Sequence, residues 1–158
     1  MANYYSQAML RKAPDGFRLS DAERALLELM GFTVHAGSED KADYVHCDIG
    51  ASDLTIETIR DDLEEYSEAV DLAVKILASI GLEACEEETD DRPFDYANLY
   101  QHALQARGCA GYVQFSTAQT CDKARIDGFG GSALHITAKA IEHIDTDSWL
   151  RRKAEGAV

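Results

Sequence analysis

The segment Leu54 to Ile80 constrains the fold more than any other part of the chain. Ile56, Ile59, Leu63 and Tyr66 recur at i, i+3, i+7 and i+10, and Val70, Ala73, Leu77 and Ile80 continue a similar stripe. That spacing predicts one long amphipathic helix, which must bury its apolar stripe against a second layer. The opposite face carries Glu57, Asp61, Asp62, Glu64, Glu65, Glu68 and Asp71. Carboxylates this dense repel one another by roughly a few tenths of a kcal/mol per close pair. Only Arg60 and Lys75 offset them within the segment. Local helix stability therefore does not account for that face. Gly81 is placed to end the helix in the left-handed conformation.

The flanking sequence supplies the second layer. Asn3 to Leu10 reads as a weakly alternating strand, suited to a sheet edge. After the turn signal Pro14-Asp15-Gly16, Ser20 and Glu23 form a capping box for a helix over residues 21–30, closed by Gly31. Phe32–Ala36 and Tyr44–Ile49 read as a hairpin, with Val45, Cys47 and Ile49 on the apolar face and Tyr44, His46 and Asp48 on the other. Cys47 is expected in the core as an inert thiol. Beyond Pro93, Tyr96, Leu99, Tyr100, Ala103 and Leu104 mark another amphipathic helix, ended near Gly108. Tyr112–Thr117 and Gly131–Thr137 are strands, with Val113, Phe115, Leu134 and Ile136 inward. Thr146-Asp147-Ser148 caps a short terminal helix near Trp149. The expected architecture is one α+β domain over residues 1–158. It has about five short, mostly antiparallel strands, with two or three helices packed on one sheet face. Strand and helix do not alternate regularly, which argues against a doubly wound nucleotide fold.

Charge narrows the function classes. The formal net charge is −14, and the surplus is local. Asp53 to Asp95 holds fifteen acids against three bases, a net of −12, while the rest of the chain has fourteen against twelve. Direct binding to nucleic acid is disfavoured, because phosphates would meet a repulsive field. A basic partner is favoured. No apolar run reaches the roughly 18 residues of a membrane span, and Met1-Ala-Asn-Tyr-Tyr-Ser lacks the features of a secretory signal. The expected location is the cytoplasm, where Cys47, Cys85, Cys109 and Cys121 would be reduced thiols. Their spacing matches no zinc pattern, so neither a metal nor a cofactor is expected.

The stretch Thr120–Thr137, TCDKARIDGFGGSALHIT, holds the densest set of candidate groups. Its glycines, Gly128, Gly130 and Gly131, run into a strand and not a helix, so they fit a hairpin turn better than a phosphate cradle. Lys123 and Arg125 place cations in an acidic neighbourhood. Cys121 and His135, with Arg125, could form a thiol nucleophile and its base, if the hairpin brings its ends together.

The string TCDKARIDGFGGSALHITAKAIEHIDTDSWL, Thr120 to Leu150, resembles the carboxyl-terminal block of a family of uncharacterised small proteins carried on phages and plasmids. LMGFTV (Leu29–Val34) and YVHCDIG (Tyr44–Gly50) are similar to earlier blocks of that family. The chain departs from it in the acidic segment Glu83–Asp95 and in Ser132, where a third glycine is expected. The resemblance implies an accessory gene of a mobile element. In that context the acidic face reads as an anti-CRISPR-like device, a non-enzymatic surface that imitates a phosphate backbone. It would occupy a basic nucleic-acid-binding protein or ribonucleoprotein complex of the host. The contact residues are expected to be Glu57, Asp61, Asp62, Glu64, Glu65, Glu68 and Asp71 on the helix, with Glu86, Glu87 and Glu88 beyond it. Two alternatives stay open: a small enzyme using Cys121 and His135, and a homodimer joined through Tyr4, Tyr5 and Trp149.

Overall fold

The structure is a computed structural model, and it describes residues 4–38, 40–48, 50–63, 67–81, 92–121 and 130–155. The fold is α+β. Among the described residues, six antiparallel strands stand in the order β2-β3-β1-β4-β5-β6. They are β1 (Tyr4–Lys12), β2 (Thr33–His35), β3 (Tyr44–Cys47), β4 (Tyr112–Cys121), β5 (Gly130–Thr137) and β6 (Ile141–Asp145). The helices are α1 (Asp21–Leu29), α2 (Ile56–Asp62), α3 (Ser67–Ser79), α4 (Tyr96–Ala106) and α5 (Thr146–Ala154).

One sheet face is covered. Alternation along the strands turns Ala8, Leu10, Val45, Cys47, Val113, Phe115 and Ile136 toward the helices. Leu26 and Leu27 of α1, Ile56 and Ile59 of α2, Ile76 and Leu77 of α3, and Tyr100 and Leu104 of α4 meet them in one core. At its centre Phe115 packs edge-on against Tyr96 and Tyr100, with centroids 5.0 and 5.1 Å away. Ser20 caps α1 as expected: its hydroxyl accepts from the Glu23 amide, and the Glu23 carboxylate accepts from the Ser20 amide. Gly31 follows at φ +92°, a conformation that costs a residue without Cβ little.

Four expectations about the elements need correction. The Tyr-rich first strand is not an edge; β1 lies between β3 and β4 and pairs with β4 from Tyr4 to Lys12. A sixth strand, β6, lies beyond the expected last one. The helix expected over Leu54–Ile80 is two helices, and Leu63 closes the first at φ −127°, ψ 50°. The buried positions of α3 are Ala69, Ala73, Ile76 and Leu77, one residue out of phase with a stripe continued from Ile56 and Ile59. A single straight helix cannot bury both sets, whereas two helices each turn their own inward. Among the described residues there are thus five helices, four sharing the core and one, α5, with no buried side chain.

A buried polar cluster locks the loops at one end. Asp43, 2% exposed, accepts from the Leu19 amide at 2.9 Å, the Gly37 amide at 3.0 Å, Arg18 at 2.8 Å and Arg24 at 2.5 Å. Burial pushes its carboxyl up, but those amide and arginine contacts outweigh burial and hold it below the ordinary value. Glu23 pairs with Arg107 beyond the end of α4. Across the molecule, Leu54 and Phe94 exchange two backbone hydrogen bonds of 2.9 Å and tie the approach to α2 to the approach to α4.

Candidate functional site

Two surfaces carry the candidate chemistry. The first is the outer side of α2 and α3. Burying Ile56 and Ile59 turns Glu57, Asp61 and Asp62 outward, and burying Ala69, Ala73 and Ile76 does the same for Glu68 and Asp71. All five carboxylates are exposed. Lys75, one turn beyond Asp71, is exposed with them. Glu64, Glu65, Glu86, Glu87 and Glu88, also expected on this surface, lie outside the described residues.

The second surface is the sheet face turned away from α1–α4. Five large apolar side chains are exposed among the described residues: Met9, Tyr44, Ile144, Trp149 and Leu150. Strand alternation and register place Met9, Tyr44 and Ile144 on this face. Trp149 and Leu150 belong to α5, which runs along its β6 side. Tyr44, His35 and His46 form a ring cluster here, His35 and His46 stacking at 5.3 Å. His46 Nε2 lies 3.6 Å from Asp48 Oδ2, so the expected grouping of Tyr44, His46 and Asp48 does occur, with His35 added from β2.

Further along, Tyr112 packs its ring 4.8 Å from that of His135. Gln114 donates from Nε2 to His135 Nδ1 at 3.2 Å. The Lys12 ammonium lies 5.1 Å from the centre of the Tyr112 ring, and hydrogen bonding to Tyr112 holds it above its ordinary pKa. Next to it the register of β1 on β4 shifts between Leu10 and Lys12, leaving Arg11 as an added residue. The bulge aims Arg11 across β4, where its Nε donates to Ser116 Oγ at 2.7 Å.

A trough follows β4 and β5. Its wider part, a cleft of about 580 Å³, is lined by Arg11, Gln114, Ser116, His135, Glu142 and Arg152, among others. A neighbouring groove of about 260 Å³ continues over Gly131, Ala133, Ile144 and Trp149. Ala133 and Ile144 line both. The floor is low because β4 and β5 offer Ser116, Gly131 and Ala133 there. Outward positions of β4 were legible from the inward Val113 and Phe115; the Arg11 bulge and the α5 wall were not.

Register separates the proposed thiol pair. His135 stands opposite Gln114, whereas Cys121 ends β4 opposite Tyr4. Cys121 lies seven residue steps along the strand from Gln114, about 23 Å. The hairpin therefore does not bring Cys121 to His135. Lys123, Arg125, Gly128 and Cys85 lie outside the described residues. Gly130 and Gly131 belong to β5 and not to a turn, and a Cβ on Gly131 would stand 2.9 Å from the Thr117 carbonyl oxygen. Cys47 is buried as expected. Among the described residues no three His, Cys, Asp or Glu side chains group as a metal site, and no helix is long and apolar enough to cross a membrane. No protein family, curated protein or solved structure matches the chain.

Proposed function

We propose that this chain is a non-enzymatic binding protein that presents the carboxylates of α2 and α3 to the basic cleft of a nucleic-acid-binding partner. The single observation behind this reading is the common exposure of Glu57, Asp61, Asp62, Glu68 and Asp71 on two adjoining helices whose other sides are fixed in the core. A rigid row of carboxylates draws Lys- and Arg-lined clefts at long range and speeds encounter. The resemblance of Thr120–Leu150 to phage and plasmid proteins makes a host defence complex, such as CRISPR–Cas, the partner to test first. Inhibition then follows from occupancy, with the acidic layer standing where phosphates would lie.

The test is a pull-down from host lysate at low and high salt, followed by affinity measurements on the partner recovered. Association should weaken steeply as NaCl rises, since screening shortens the reach of exposed charges. Combining Glu57→Gln, Glu68→Gln and Asp71→Asn should lower affinity by about tenfold or more, chiefly through the on-rate. A salt-independent affinity, or one unchanged in the triple variant, would remove the basis for this function.

A further inference from the structure

The open sheet face carries chemistry that the acidic layer does not use. Two arginines, Arg11 and Arg152, line the wider part of the trough. The chain has 29 acidic residues and 15 Lys or Arg, yet neither arginine has an ion-pair partner among the described residues. Arg11 is held in place through its Nε, which donates to Ser116, and its Nη1, which donates to Met9 Sδ at 3.6 Å, and this leaves Nη2 for another acceptor. Glu142 lines the same end, opposite His135 in the register, so cations still outnumber acids there. The other end is mostly apolar, with Ile144 and Trp149 exposed above Gly131 and Ala133, and its one acid, Asp145, accepts from the Ser148 amide as the cap of α5.

We propose that this trough binds an extended peptide segment of a partner protein, seating an acidic side chain at the Arg11–Arg152 end and a bulky apolar side chain against Ile144 and Trp149. Charge complementarity selects the acid: arginine guanidiniums donate charge-assisted N–H hydrogen bonds to a carboxylate. The dimensions select an extended chain. His135 at the polar end and Gly131 at the apolar end are four residues apart on β5, about 13 Å. In an extended peptide, side chains at i and i+4 point the same way across that same span. The trough is open along its length, which suits a strand better than an enclosed small molecule. A polyanion is disfavoured by the net charge of −14, whereas one carboxylate meets two arginines.

Trp149 is the single tryptophan of the chain, so its fluorescence reports occupancy directly. The probe is acetyl-Ser-Glu-Ser-Leu-Ser-Leu-Ser-amide, with matched peptides carrying Gln for Glu or Ser for both Leu. The parent peptide should shift Trp149 emission saturably, and each matched peptide should bind about tenfold more weakly, the loss of one charged or one apolar anchor. Arg11→Gln and Arg152→Gln should each weaken the parent peptide by a similar factor, while Glu28→Gln, exposed on α1 in the far layer, leaves it unchanged. Arg152 is exposed on α5, so its variant keeps the fold even if Arg11→Gln does not. The proposal is overturned if the parent peptide leaves Trp149 unaffected, or if the Gln peptide binds equally well. It is also overturned if a single-stranded oligonucleotide competes at the trough, or if sizing shows a dimer that Arg152→Gln dissolves, since the occupant would then be nucleic acid or a second copy.

Discussion

Asp43 shows how one residue fixes three pieces of chain. Its carboxylate receives donors from the run before α1, from the β2–β3 connection and from α1 itself. Asn at this position keeps the shape but offers one acceptor and two donors, so a donor group would face the Arg24 and Leu19 donors. Asp43→Asn should therefore destabilise the protein by about 2 kcal/mol in urea melts at pH 7, the low side for a broken buried pair because both arginines retain access to water. The sign of its pH dependence follows from the lowered folded pKa. The carboxylate adds stability above its ordinary value of 3.8 and loses that share as pH falls through the lower folded value. The variant should accordingly show a shallower loss of stability below pH 3.8 than the parent chain. Asp95 works in the opposite direction. Burial raises its carboxyl, so its ionisation costs stability as pH rises through that range.

Between elements, the legible and the illegible parts divide on whether the signal was local. The Ser20–Glu23 box, Gly31, and the inward Val113, Phe115, Leu134 and Ile136 are written in short spacings, and each is found where the spacing puts it. The α2–α3 break depends on two stripes differing by one residue in phase, which only a shared core resolves. Strand β6 follows Ala138-Lys139-Ala140, a turn without Gly, Pro or Asn. Thr137 makes that turn, its hydroxyl accepting from the Lys139 and Ala140 amides at 3.2 and 3.0 Å. The separation of Cys121 from His135 is a matter of register, set by pairing over the whole strand. Pairing also explains the paired glycines of β5. Gly131→Ala forces a Cβ against the backbone oxygen of Thr117 and should lower stability by about 1–3 kcal/mol. At Gly130 a Cβ meets the end of the Gln119 side chain at 3.4 Å, so Gly130→Ala should cost clearly less. Parallel thermal melts of the two variants measure the contrast.

Charge is divided between layers: exposed carboxylates on α2 and α3, and, over the open sheet face, two arginines without acidic partners among the described residues. Self-repulsion within the acidic layer weakens the fold itself. Raising NaCl from about 0.02 to about 0.5 M should increase the melting temperature by a few degrees, as the screening length shrinks. Combining Glu68→Gln with Asp71→Asn should reduce that increase, and calorimetry at the two salt concentrations reads it. The tie between Leu54 and Phe94 has a bearing on ancestry. Ten of the fourteen surplus negative charges lie between two residues that sit side by side, so the segment that carries α2 and α3 begins and ends at one doorway. Outward positions inside that loop can be rewritten generation after generation while the strands keep their partners. A lineage pressed to follow a changing target can thus redraft one surface and inherit the other intact.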